Sequence, residues 1–535
     1  MPQLQRTRVT RLAVDARTVA DLVIGAAALW MIAAGLCWGT LAAGGADSYG
    51  YISQASLWLR GNLIVDQPIA RTVPWPDADW TFSPLGYRPG LENGTIVPIF
   101  PAGLPIVMAL LQGIAGPRAV FLAVPLLGAA IVLATARLAT RMWNPAAGAV
   151  AALLVAFRPA VLSSLMWPMS DVPAAAWWAL ALFLATGAGV PSAAGSGLAT
   201  ALAILTRPNL VGLAVAPAMY FAVRIRQTVS DRPRAIARLE VFTVLSMLGC
   251  LAVAAIHTRL YGSPFKSGYG DVSRVYSLSQ IPASVPGLAS HPLRFEPILL
   301  LLGLAGAVAL VRRRGRADVR ATAGLAIGMI GLVLLSYAFY PPSPDWWYLR
   351  FLLPAYPALA ALGGAGTLCL AELAPTRWRM LVVSVVCACV VMTGLWEAAD
   401  RGVFEFRNAE SRYATVAGFV VRSLPPNAAF LAFQQSAGLR HYAGRMTLRF
   451  DLLQPKWFDT AITKMRARGY RPYVIVEEPE MELFKARFRD ASVLGNLDWP
   501  PVAELPRPVR VQIFDPADRG KWRAGRLMSP QRIFP

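Results

Sequence analysis

The chain of 535 residues could hold several soluble domains by length, but 56% hydrophobic and 15% charged residues with a mean hydropathy of +0.48 fit an integral membrane protein instead. Those figures exclude a secreted disulfide scaffold, a disordered chain and an ordinary cytosolic enzyme. The net charge of +21 comes from 51 basic and 30 acidic residues, only five of the basic ones lysine; it reads as cytoplasmic loops and anionic lipid headgroups, with no nucleic-acid partner.

In chain order, Arg6, Arg8, Arg11 and Arg17 precede an uncharged run from Leu22 to Ala46, too long for a signal-peptide core and expected to remain as the first span, near 22–43. A loop of about 75 residues (44–118) follows. Further spans are expected near 119–136, 145–165, 172–189, 195–206, 208–223, 241–257, 297–311, 321–340, 351–371 and 380–396. The fold class is thus a polytopic α-helical membrane protein with about eleven transmembrane helices (domain 1–398) and a second domain, 399–535. Alternating the spans from a cytoplasmic N-terminus puts 18 basic residues inside, against 11 spread over the exterior segments up to Arg350. That orientation makes the tail extracytoplasmic at a plasma or inner membrane.

The tail has 22 basic and 14 acidic residues and the pattern of a small α/β domain. Strands are expected at 429–433, 473–476 and 509–514, and amphipathic helices at 460–467 and 481–488. The five cysteines lie in apolar stretches and imply no disulfide framework. The three histidines show no zinc spacing, and neither a P-loop nor a G-x-S-x-G occurs.

Ionisable groups in or beside membrane spans are costly and are functional candidates. The exterior acids are Asp47, Asp66, Asp77, Asp79, Glu92, Asp171, Asp271, Glu296 and Asp345. In GADSYGYISQASLWLRG, a helix would put Asp47, Tyr51 and Ala55 on one face just beyond the first span; the plain alternative is a helix cap. Asp171 in WPMSDVPAAAWW precedes an apolar helix, where Ser170 or Asp171 could cap it, or Asp171 could share the exterior mouth with Asp47. Asp77 and Asp79 in PWPDADW form a D-x-D that reads as a solvated turn rather than a metal site. The basic candidates are Arg88 in GYRPG, Arg207 in LTRPNL, Lys266 in YGSPFKSGYG and Arg350 in DWWYLRFLLPAYP. Each alone could be a snorkelling anchor, whereas several together would hold a phosphate.

These features together resemble the GT-C superfamily of polyprenyl-phosphate-sugar-dependent glycosyltransferases, the group of protein O-mannosyltransferases and aminoarabinose transferases. The resemblance rests on Asp47, Tyr51 and Ala55 after the first span, on the long first loop ending in PIFPAGLPIVMALL, on the D-x-P at Asp171, and on LTRP and RFLLPAYP; it covers roughly residues 20–400. It implies inverting transfer of a hexosyl or pentosyl group from a polyprenyl-phosphate donor to a hydroxyl of a glycan, lipid or protein at the extracytoplasmic face. Asp47 matches the family's catalytic acidic residue, Asp171 its second acidic residue and Arg207 the basic residue near the lipid phosphate. Tyr51, Arg88, Lys266 and Arg350 complete the expected substrate-binding set. Ser48 stands where many members carry a second carboxylate, and the family's first-loop lysine has no match in PIFPAGLP, so Arg88 is assigned that role and a divalent metal is the one cofactor left open. HYAGR, 441–445, is expected to be a tail loop facing the cleft. The readings from other classes are a polytopic transporter, marked by broken or charged helices at mid-membrane, and a non-catalytic lipid-linked-glycan assembly protein.

Overall fold

The computed structural model describes residues 16–227, 231–271, 273, 276–312, 317–525 and 530–533. Of the basic residues assigned to the cytoplasmic side, Arg6, Arg8, Arg11, Arg313, Arg314 and Arg316 lie outside them.

Among the described residues, eight helices are long and apolar enough to cross a membrane: Ala16–Trp38, Pro117–Met142, Gly189–Thr206, Pro208–Gln227, Arg232–Tyr261, Ala317–Ala338, Trp346–Glu372 and Thr376–Asp400. The span expected at 145–165 is a bent pair, Pro145–Ala156 with Pro159–Leu165 at 62°, and the one expected at 297–311 is Pro297–Arg312, bent at 102° against Leu278–Phe295, which was not expected. The span expected at 172–189 is a helix of 15 residues, Asp171–Ala185. The first helix ends at Trp38 rather than near residue 43. There Thr40 leaves the helical ladder, its N–H donating to the Met166 carbonyl at 2.9 Å.

Both bends precede a proline, whose ring disfavours helical geometry at the residue before it. Those residues are Arg158 (φ −81°, ψ 132°) and Glu296 (φ −136°, ψ 41°). They meet: Arg158 Nη1 lies 3.6 Å from Glu296 Oε2, with the side chains 3% and 2% exposed. Arg158 Nη2 donates to the Val390 carbonyl at 2.7 Å, and Tyr356 Oη donates to Glu296 Oε1 at 3.3 Å. Glu296, expected at the exterior surface, is therefore buried, because the two broken helices bring each other a counter-ion. Elsewhere the bundle closes on small residues, which let backbones touch. A Cβ on Gly306 would lie 1.8 Å from the Leu362 carbonyl oxygen, and one on Gly366 2.2 Å from that of Leu302.

The first loop holds the helix Asp47–Leu59, a three-stranded antiparallel sheet (Val65–Asp66, Thr95–Pro98, Tyr87–Pro89 in spatial order) and the helix Gly103–Ala115. In the tail, six strands pair in the order Gln531–Arg532, Ala503–Leu505, Val511–Phe514, Arg471–Glu477, Ala428–Ala432, Met446–Arg449. The last three are mutually parallel, and Val511–Phe514 runs antiparallel to Arg471–Glu477. The expected helices are Phe458–Ala467 and Met481–Phe488. Two more, Phe406–Ser423 and Gln435–Ala443, were not expected from the sequence.

The two sheet faces bury different sets of side chains. Phe458, Phe484 and Phe488 pack with Ala70, Trp75 and Phe82 of the first loop, while Val416, Val420 and Leu439 pack with Tyr473 and Ile475. The tail thus shares a hydrophobic core with the first loop.

Candidate active site

Two glycines shape the path from the first helix to Asp47. Gly45 takes φ +57°, which favours glycine, and a Cβ on Gly44 would lie 1.9 Å from Tyr413 Cδ2. Tyr413 belongs to the tail helix Phe406–Ser423, so the missing side chain lets the tail rest on the linker. The helix then begins at Asp47 itself, with Tyr51 (4% exposed) and Ala55 (0%) buried below it on the same face. Tyr51 packs on Phe100 with ring centroids 4.6 Å apart.

Neither carboxylate acts as a helix cap. Asp47 and Asp171 are the first residues of their helices, and no side-chain capping bond is made at either end. The Asp171 carboxylate, 1% exposed, instead accepts a hydrogen bond from Arg207 Nη2 at 2.5 Å. Arg207 Nε donates to Ser170 Oγ at 3.2 Å and Nη1 to Tyr337 Oη at 3.4 Å. No hydrogen bond ties the Asp47 carboxylate to another described residue. Burial raises its pKa above the ordinary carboxylate value; the Arg350 charge opposes this, Asp171 adds to it and Arg207 opposes it again.

Asp47, Asp171 and Arg350 line one cavity of about 280 Å³, together with Trp167, Trp346, Trp347 and Phe406. Met169 also lines it, as do Ala160, Ser163 and Ser164, carried there by the helix segment that follows the break at Arg158. The guanidinium carbons of Arg207 and Arg350 lie 5.7 and 5.0 Å from the centre of the Phe351 ring, and Arg350 also stacks on Trp347 at 5.2 Å. Arg350 Nε is buried with no acceptor among the described residues. The cavity therefore offers one carboxylate without a bonded partner, one carboxylate that fixes Arg207, and one cation, Arg350; Arg207 does not line it but is braced on the same Phe351 ring.

The other expected residues lie elsewhere. Arg88 Nη1 donates to the carbonyls of Ser267 and Gly268, both at 3.3 Å, bracing the hairpin that carries Lys266. Lys266 is exposed, and neither residue lines the cavity. Asp79 accepts the Gly94 N–H at 2.9 Å and Asp77 adopts φ +57° before a four-residue helix, so the D-x-D is a turn. Among the described residues no three His, Cys, Asp or Glu side chains group to hold a metal ion, and Asp171 is already engaged by Arg207.

The segment expected as a loop at 441–445 is the end of the helix Gln435–Ala443, closed by Gly444 at φ +60°. Tyr442 Oη accepts the Ala43 N–H at 2.6 Å, and His441 packs edge-on against Tyr49 with ring centroids 6.0 Å apart. Arg445 donates to the Pro426 carbonyl within the tail.

Sequence reasoning missed Tyr337 and Phe406, and it read Ser170 only as a possible cap, whereas its hydroxyl accepts from Arg207 and makes no capping bond. Tyr337 and Phe406 reach the site only through tertiary packing and leave no local signal.

No protein-family model matches the sequence, and no curated protein does. Solved structures do match. ArnT from Cupriavidus metallidurans in the apo state aligns with a TM-score of 0.56 at 15% identity, covering 93% of this chain and 98% of that one. The same protein bound to undecaprenyl phosphate gives 0.54 at 13% identity over 93% and 98%. The archaeal oligosaccharyltransferase AglB from Archaeoglobus fulgidus, in complex with an inhibitory peptide and a dolichol-phosphate, gives 0.55 at 12% identity over 92% and 73%. At such low identity the likeness shows the fold alone, and with the apolar helices it makes this chain a multi-pass membrane protein with the GT-C fold.

Proposed function

We propose that this protein is a membrane glycosyltransferase moving a sugar from a polyprenyl-phosphate donor to a hydroxyl acceptor at the extracytoplasmic face, with inversion. The observation that carries the reading is the cavity joining Asp47, Asp171 and Arg350 in a chain of GT-C fold, two of whose structural neighbours were solved with polyprenyl-type phosphates. The division into 1–398 and 399–535 is supported by the end of the apolar spans and the changed composition of the tail, and an N-terminus in the cytoplasm by the distribution of basic residues.

In this scheme the lipid-linked donor enters from the bilayer and its phosphate lies against Arg207 and Arg350, which neutralise charge as the leaving group departs. The acceptor oxygen attacks the anomeric carbon from the opposite side. A new C–O bond forms while the bond from that carbon to the phosphate oxygen breaks, and polyprenyl phosphate leaves with the electron pair. Asp47 takes the hydroxyl proton, and its raised pKa makes it a stronger base than an exposed aspartate. Asp171 holds Arg207 in place, Tyr51 supports the helix face below Asp47, and the tail guides the acceptor through Phe406. Arg88 and Lys266 bind substrate only through a larger donor or acceptor that extends past the cavity.

Lipid mass spectrometry on the source cell lacking this gene, complemented with the natural chain or with Asp47→Asn, tests the proposal. A polyprenyl-phospho-sugar that accumulates in the deletion and in the Asp47→Asn strain, but clears with the natural chain, supports transfer, and its mass identifies the sugar. Unchanged lipid-linked sugars in all three strains, with the protein expressed and a deletion phenotype present, refute it and bring transport forward.

A further inference from the structure

A larger cleft, about 670 Å³, opens at the far end of the bundle from Asp47. The helix Asp171–Ala185 connects the two places: it begins at the site carboxylate and ends beside the cleft residue Thr186, so the two lie about 22 Å apart at 1.5 Å per residue. Four arginines line the cleft from three different helices: Arg141, Arg224, Arg234 and Arg238. Asp231 and Asp318 line it too, leaving four positive charges against two negative.

The cations are built in to different degrees. Arg141 stacks on Phe183, its guanidinium carbon 4.1 Å from the ring centre, and donates to Thr186 Oγ1 at 2.6 Å. Arg238 sits over Phe221 at 5.2 Å and donates to the carbonyls of Ala185 and Gly187 at 3.1 and 2.7 Å. Its Nε is buried with no acceptor among the described residues. Arg234 lies 3.8 Å from Asp231, both well exposed, and such a pair yields easily to a stronger anion. Guanidinium groups already braced on rings and carbonyls, with a donor left over, suit a phosphate oxygen at the edge of the apolar layer.

We propose that this cleft binds the phosphate of an anionic lipid headgroup from the leaflet opposite Asp47. The helices Gly189–Thr206 and Arg232–Tyr261 beside it present Leu198, Val244, Leu248 and Leu251 outward, a surface on which the acyl chains of a lipid so held would lie. The site stands independently of the transfer reaction.

The test uses the full chain, purified and delipidated in detergent, with native mass spectrometry of adducts formed on titration with phosphatidylglycerol, phosphatidylcholine or inorganic phosphate. Arg224→Gln/Arg234→Gln removes two cleft charges without touching the braced arginines. Arg226→Gln/Arg232→Gln removes the same charge from neighbouring exposed positions that do not line the cleft. The expected result is one tight phosphatidylglycerol adduct on the natural chain and on Arg226→Gln/Arg232→Gln, at least about 10-fold weaker in Arg224→Gln/Arg234→Gln, not formed by phosphatidylcholine and not displaced by millimolar phosphate. Equal weakening in both variants overturns the proposal by assigning the effect to diffuse charge. Displacement of the lipid by inorganic phosphate overturns the lipid assignment in favour of a soluble anion. An adduct unchanged in Arg224→Gln/Arg234→Gln overturns the site itself.

Discussion

Removing Arg207 should cost transfer far more than removing a surface arginine, and the size of the loss follows from its hydrogen bonds. A guanidinium has five N–H donors. Ser170, Asp171 and Tyr337 take three of them, one on each nitrogen. One hydrogen then remains on each terminal nitrogen, enough for two oxygens of a phosphate. At about 1.5–3 kcal/mol for each charge-assisted bond, Arg207→Ala lowers kcat/KM by about 3–6 kcal/mol, or roughly 10²–10⁴-fold. Because Asp171 orients that arginine and touches no substrate in the scheme, Asp171→Ala should lose about as much, and the double variant no more than either single one.

The assay is kcat/KM for the donor identified by lipid mass spectrometry, with thermal unfolding of each purified variant alongside. Arg207→Ala alone leaves a carboxylate that is 1% exposed without its cation, a loss of about 3–5 kcal/mol of stability before the neighbouring cavity admits water. The double variant should regain much of that stability while staying inactive. Multiplicative losses of kcat/KM in the double variant would refute the reasoning, since the two residues would then act separately and Asp171 would need its own contact with substrate.

Asp47→Asn should lower kcat about 10²–10⁴-fold. With Asp47 present, kcat/KM should rise with pH through a pKa above the ordinary aspartate value, because the base works only when deprotonated, and this limb should vanish in Asp47→Asn; a limb unchanged by the substitution assigns it to another group. Glu296→Ala should destabilise the bundle by about 3–5 kcal/mol by stranding Arg158, whereas Arg158→Leu/Glu296→Leu should melt nearer the natural chain; equal melting of the two variants argues against a structural pair. Gly44→Ala places a methyl inside the Tyr413 ring and should loosen the tail, seen as faster hydrogen exchange in Phe406–Ser423, with unchanged exchange counting against the contact. Burial pushes the Glu480 carboxyl up to about 7 although Glu477 and Gln434 N–H groups oppose this. The folded tail then holds a proton that the unfolded chain releases above about pH 4.5, so its contribution to stability should fall as pH rises from 5 to 8; protection of Arg471–Glu477 against exchange that rises over that range would contradict it.

Much of this molecule is written in local sequence. An uninterrupted apolar run must be helical in a bilayer, because nothing else satisfies its backbone there, so each expected span falls on a helix or a bent helix pair. The helix at Asp47 and its Tyr51 and Ala55 stripe were equally legible, since periodicity needs only the neighbours along the chain. Periodicity does not say which face meets which. The pairing of Asp171 with Arg207 spans 36 residues, that of Arg158 with Glu296 crosses two broken helices, and Phe406 reaches the cavity from the far end of the sequence. Arg88 and Lys266 carried the same charge as Arg350, yet of the three only Arg350 borders the cavity, because a loop arginine is free to find carbonyls while one set among Trp347 and Phe351 is held against their rings. Sequence alone determined the class of protein and the position of its first carboxylate; the choice of partners for each charge was made by long-range packing, where burial leaves a charge no alternative to the counter-ion that the fold delivers.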